Sequence, residues 1–137
     1  MTLQSKVRFI QSVCWIGVAA DAIWTIALLH PPLYGMLTGR SDFQPDLTLR
    51  LCMGVGASLM AGWTFLLAWT AKEPIQRRGV LLITAFPALA GLSVVAFIGS
   101  LNGNSASGWI LGKCALLSLA MLSAYHIANT IAREQYK

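Results

Sequence analysis

Four apolar stretches of nearly equal length, residues 7–29, 49–71, 80–101 and 109–131, set the terms on which this chain can fold. Each is roughly 33 Å long as an α-helix, against a hydrocarbon core of about 30 Å, so each suits one bilayer crossing. In lipid only a helix closes its backbone hydrogen bonds within a single segment, and none of the four alternates as a barrel strand does. The predicted class is therefore all-α: an integral-membrane four-helix up-down bundle, one transmembrane domain over residues 1–137. Composition agrees, with 56% hydrophobic and only 11% charged residues, where a soluble domain runs nearer a quarter charged.

The breaks between stretches have physical causes. Pro31 and Pro32 remove two backbone donors and are expected to end the first helix, with Gly35, Gly39, Ser41, Asp42 and Pro45 making residues 30–48 a loop. Lys72, Glu73 and Pro74 form a tight charged connection after the second stretch. Asn102, Gly103, Asn104 and Ser105, then Ser107 and Gly108, read as a short turn before the fourth. Connections this short favour antiparallel neighbours.

Lys6, Arg8, Lys72, Arg77, Arg78, Arg133 and Lys137 fall on one side of such a bundle, and Arg40, Arg50 and Lys113 on the other. Basic residues concentrate in cytoplasmic segments, so both termini are expected in the cytoplasm and the protein in a bacterial-type inner membrane. Trp109 and Tyr34 on one face, with Trp69 and Tyr136 on the other, suit interfacial aromatic belts. Ala20, Asp21 and Ala22 resemble a signal cleavage site, but the apolar run around them exceeds the usual signal core of about 7–15 residues.

The net charge of +5 is distributed as membrane topology rather than as a patch that follows a phosphate backbone, so no nucleic-acid partner is expected. Cys14, Cys52 and Cys114 all lie in apolar runs without the spacing of a zinc site, and they read as small apolar fillers. A bridge between Cys52 and Cys114 is conceivable from their similar depth. No metal site and no cofactor are expected.

Polar residues inside apolar stretches carry the functional expectations. Asp21 lies about 12 Å from the outer end of its helix, where exposure to lipid costs several kcal/mol, so it should face protein or water. Cys14, Gly17, Asp21, Trp24 and Thr25 share one helix face. Arg50 and Lys113 sit at the same outer level, and a pair between either and Asp21 is the leading expected contact. In the alternative, both cations reach outward to the headgroups and Asp21 accepts structural hydrogen bonds. Asp21, Trp24, Thr25, Arg50, Lys113 and His126 are thus the candidate substrate- or proton-binding residues.

His126 shares a face with Ser123, Asn129 and Thr130 and is far in depth from His30, which argues against both histidines ligating one haem. Gly54, Ser58 and Gly62 form a small-xxx-small stripe suited to close helix packing, within the chain or with a second copy. Pro87 is expected to kink the third helix. Trp15, Trp24 and Trp63 could line an internal cleft with Asp21, Thr25, Ser58 and Thr64.

In length, helix count and texture the whole chain resembles the small bacterial inner-membrane proteins of the BphX-like and DoxX-like type, and the resemblance carries over no functional residue. It is also similar to the small multidrug resistance transporters in having four helices and one carboxylate midway along the first. There the acid is a glutamate within a motif this chain lacks, and residues 30–48 depart from their compact form. Three functions follow as expectations. The first is a transporter- or channel-like protein with a polar site at Asp21. The second is an accessory or assembly subunit of a larger membrane complex, whereas a homo-oligomer is expected with the first. The third is a membrane enzyme or cofactor carrier using Cys14, Asp21 or His126, ranked last because no nucleophile and base are evident within reach of each other.

Overall fold

The computed structural model describes residues 2–40, 42–101 and 105–135, and among these no strand occurs. The helices are α1 (Leu3–Leu29), α2 (Pro31–Thr38), α3 (Leu47–Lys72), α4 (Gly79–Ile83), α5 (Ala90–Leu101) and α6 (Ser105–Gln135). Four segments are long and apolar enough to cross a membrane: Leu3–Leu29, Leu47–Lys72, Gly79–Leu101 and Ser107–Glu134. Asn102, Gly103 and Asn104 of the expected turn lie outside the described residues, as do Ser41, Tyr136 and Lys137.

Helix starts are earlier than hydropathy predicts because polar caps, which carry no apolar signal, fix them. Thr2 Oγ1 accepts the Ser5 N–H at 3.3 Å ahead of α1, and Asp46 Oδ1 accepts the Leu49 N–H at 2.8 Å ahead of α3. Each satisfies one of the donors that a helix leaves free at its N-terminus.

Residues 30–48 are not all loop, which corrects the sequence reading. Pro31 and Pro32 end α1 but also open α2, because the first helical positions need no N–H and favour proline's fixed φ. His30 caps this helix, its Nδ1 accepting the Leu33 N–H at 3.3 Å. Gly39, at φ 72° and ψ 23°, closes it in the left-handed conformation that only glycine adopts readily.

The third apolar stretch is broken where Pro87 requires it. Phe86, at φ −144° and ψ 107°, is extended between two helical pieces, and the Phe86–Pro87 peptide is cis. The ring of a proline crowds the residue before it out of the α region. Residues 84–89 form a wide turn that joins α4 to α5.

The chain divides into two compact units, Met1–Trp15 with Leu67–Lys137, and Ile16–Leu66. In the first, α4 and α5 pack on α6, and α5 runs antiparallel to it. Gly99 lies against Ser107 near one end, Ser93 is close to Cys114 farther along, and Arg78, just before α4, reaches Asn129 at the other end. At Gly99 a Cβ would come within 2.5 Å of Ser107 Oγ, so the close approach of the two helices depends on glycine there. Ile10, Cys14, Leu67, Thr70, Leu81, Met121 and Ile131 are the largest fully buried side chains, and all belong to this unit.

The Ile16–Leu66 unit encloses less. Its buried residues are Gly17, Ala27, Gly35, Met53 and Ala57. After Gly39 the chain folds back, with the Arg40 N–H donating to the Gly35 carbonyl at 2.8 Å. Tyr34 of α2 then stands between Trp24 of α1, edge-on at 6.2 Å, and Phe43, tilted at 4.8 Å.

Candidate functional site

Asp21, Trp24 and Thr25 follow one another at helical spacing on α1, and all three are half-buried. Farther along the same face Cys14 and Gly17 are buried, so this side of α1 faces protein, as expected. The Thr25 hydroxyl donates to the Asp21 backbone carbonyl at 2.8 Å, a bond internal to the helix that leaves the carboxylate untouched. Among the described residues the Asp21 carboxylate has neither a hydrogen-bond donor nor a cation. Arg50, in the first turn of α3, is exposed and makes no ion pair with it.

Lys113 and His126 belong to the other unit. The Lys113 ammonium sits 4.7 Å from the centre of the Trp109 ring, one helical turn away on α6. It is exposed, an arrangement that suits a lysine reaching toward a membrane surface over an interfacial indole. His126 is also exposed, and its backbone carbonyl accepts the Thr130 hydroxyl at 3.0 Å. Asn129, on the same face, is committed to Arg78: the Arg78 Nε–H donates to Asn129 Oδ1 at 3.3 Å.

The small-residue stripe of α3 is open. A Cβ added to Gly54 or to Gly62 would meet nothing within 4 Å, and Ser58 is exposed with its hydroxyl donating to the Gly54 carbonyl at 3.0 Å. Of the tryptophans expected to line a cleft, Trp15 is 57% exposed, whereas Trp24 and Trp63 are half-buried. Thr64 and Ser123, like Thr25 and Ser58, donate their hydroxyls to backbone carbonyls of their own helix. The three cysteines are free thiols, Cys14 and Cys114 buried and Cys52 exposed. Groups of three or more His, Cys, Asp or Glu side chains placed to hold a metal ion are absent among the described residues.

The chain matches no protein-family model, no curated protein and no solved structure. The chemistry of the site therefore rests on its own residues. Asp21 is a half-buried carboxyl group on a helix apolar enough to cross a membrane, one turn before an indole that meets Tyr34 edge-on, with no hydrogen-bond donor or cation on its side chain among the described residues. Such a group can accept a proton or sit against a cation.

Sequence reasoning missed Tyr34 and Phe43 as neighbours of Trp24, because the reversal at Gly39 that brings them there lies in a stretch read as loop. It also missed the Arg78–Asn129 bond, since neither residue marks its partner. The expected Asp21–Arg50 pair came from matching depths along two helices. Depth says nothing of which way each side chain points around its helix.

Proposed function

We propose that this protein is a small multi-pass membrane protein with a transporter- or channel-like role, in which Asp21 binds a proton or a cation along a polar path. In this reading the four helices cross an inner membrane as an up-down bundle, with both termini cytoplasmic. The observation that carries it is the half-buried Asp21 carboxylate with no cationic partner among the described residues. An acid retained within a membrane span is costly, and such residues mark ion or substrate pathways when no structural partner accounts for them. Trp24 and Thr25 complete the wall around it.

The test is flux in liposomes that hold a pH-sensitive dye. Wild-type protein is expected to dissipate an imposed proton or cation gradient faster than empty vesicles. Asp21→Asn abolishes the excess rate, and Asp21→Glu retains part of it. Equal rates for wild type, Asp21→Asn and empty vesicles would sink the proposal.

The open Gly54–Ser58–Gly62 stripe favours a second reading, an accessory subunit or homo-oligomer in which this face of α3 receives another helix. Copurifying chains, or copies of this one, that are lost on Gly54→Leu and Gly62→Leu while flux is absent throughout would select it.

A further inference from the structure

The basic residues at one end of the Met1–Trp15 and Leu67–Lys137 unit are gathered by two long-range bonds. Gln11 Nε2 donates to the Ala71 carbonyl at 3.2 Å, tying the start of α1 to the end of α3. The Arg78–Asn129 bond ties the 73–78 turn to the end of α6. Arg8 is one turn from Gln11. Lys72 follows Ala71, and Arg133 is one turn beyond Asn129. Their side chains are exposed. The acids in these segments are Glu73 and Glu134. Glu73 is engaged by Arg77 at 2.7 Å, and Arg77 also stacks 3.7 Å over Trp69 and donates to the Trp69 carbonyl.

Arg78 differs from its neighbour. Arg77 is neutralised, whereas Arg78 has no carboxylate partner among the described residues and is nonetheless held in place. Its Nε–H is fixed by Asn129 and one Nη1 donor by the Ile75 carbonyl at 3.0 Å. A guanidinium has five N–H donors, so the Nη2 pair and the second Nη1 hydrogen remain on an oriented, half-exposed fork. That fork lies at the end of the apolar segments, one turn from helices that fit a bilayer.

We propose that Arg78 seats the phosphate of an anionic phospholipid headgroup, with Arg8, Lys72 and Arg133 supplying the surrounding positive field. Phosphate geometry suits a planar guanidinium, and basic pockets where membrane helices emerge are sites at which anionic headgroups collect. The assignment requires that the helices cross a bilayer and is independent of any role for Asp21.

The test is the lipid retained by full-length protein extracted in mild detergent from vesicles of equimolar phosphatidylcholine and phosphatidylglycerol. Wild type is expected to hold phosphatidylglycerol about fivefold above its bulk share. Arg78→Gln brings the ratio to bulk. Asn129→Leu leaves the charge unchanged but releases the guanidinium, and at least halves the enrichment. Arg40→Gln, which removes one charge from the other unit, leaves it intact. No enrichment in wild type overturns the site, as does full enrichment in Asn129→Leu, which would mark diffuse accumulation around net charge. Enrichment abolished by millimolar inorganic phosphate overturns the lipid assignment. The wild-type and Asn129→Leu measurements decide the matter even if Arg78→Gln does not fold.

Discussion

Met121, Leu81 and Ile10 of one compact unit are wholly sealed, while in the other the largest buried side chain among the described residues is Met53 and the remaining buried residues are alanines and glycines. Both units are built from equally apolar helix. What differs is the size of the side chains that are sealed, not whether apolar surface faces outward. In the first they are large, although Phe86, Val95, Leu116 and Leu119 face outward. In the second they are small apart from Met53, and Ile23, Ile26, Leu51, Val55 and Leu59 face outward. In a bilayer, whose lipid is as apolar as leucine, such a surface would be satisfied without an internal core. The lesson is a division of labour: one unit closes over large side chains, and the other carries the half-buried Asp21 with few large residues sealed around it.

The sharpest way to break this contrast is to truncate matched side chains. Met121→Ala and Leu81→Ala should each cost about 2–5 kcal/mol, as large-to-small changes in closed cores do. Leu59→Ala, at a position 70% exposed, should cost under about 1 kcal/mol because lipid refills the space. Denaturant unfolding in detergent measures both, and equal losses would show that the second unit has a core after all.

Glycine offers a finer comparison. Gly99→Ala forces a Cβ against Ser107 and should destabilise by about 1–3 kcal/mol, the usual range for overpacking. Gly54→Ala meets open space and should stabilise α3 by up to about 1 kcal/mol through helix propensity. A cost at Gly54 in lipid but not in detergent would reveal a partner helix on that face.

Smaller effects separate local contacts within each unit. Tyr34→Leu removes the edge-on contact with Trp24 and should cost about 0.5–1.5 kcal/mol, visible as faster amide exchange in α2 and hardly at all in α6. Glu73→Gln breaks the pair with Arg77 and should change stability by only about 0.2–1 kcal/mol, less at high salt, because Glu73 is half exposed.

Hydropathy made four spans legible because that signal is local and repeated over twenty residues, and the break at Phe86 was legible because Pro87 acts on its own neighbour. Helix α2 was not, since a Pro-Pro pair both stops one helix and starts another, and the outcome turns on the His30 cap and the left-handed Gly39 downstream. The inward face of α1 was readable from the spacing of Cys14, Gly17, Asp21, Trp24 and Thr25. Its partners were not, because the contact of Trp24 with Tyr34 depends on a chain reversal, and the lack of an Arg50 partner depends on rotation about the helix axis.

The first unit is also discontinuous along the chain, with Ile10 and Cys14 closing against residues that follow Leu66. During synthesis the start of α1 must therefore wait for segments made after Leu66 before this unit closes, on the order of ten seconds at typical ribosomal speeds. For that interval the start of α1 carries an unfinished core. A chain interrupted within α6 would retain its Asp21-bearing unit intact in sequence yet leave α4 and α5 uncovered, the kind of apolar surface by which quality-control machinery distinguishes incomplete proteins from finished ones.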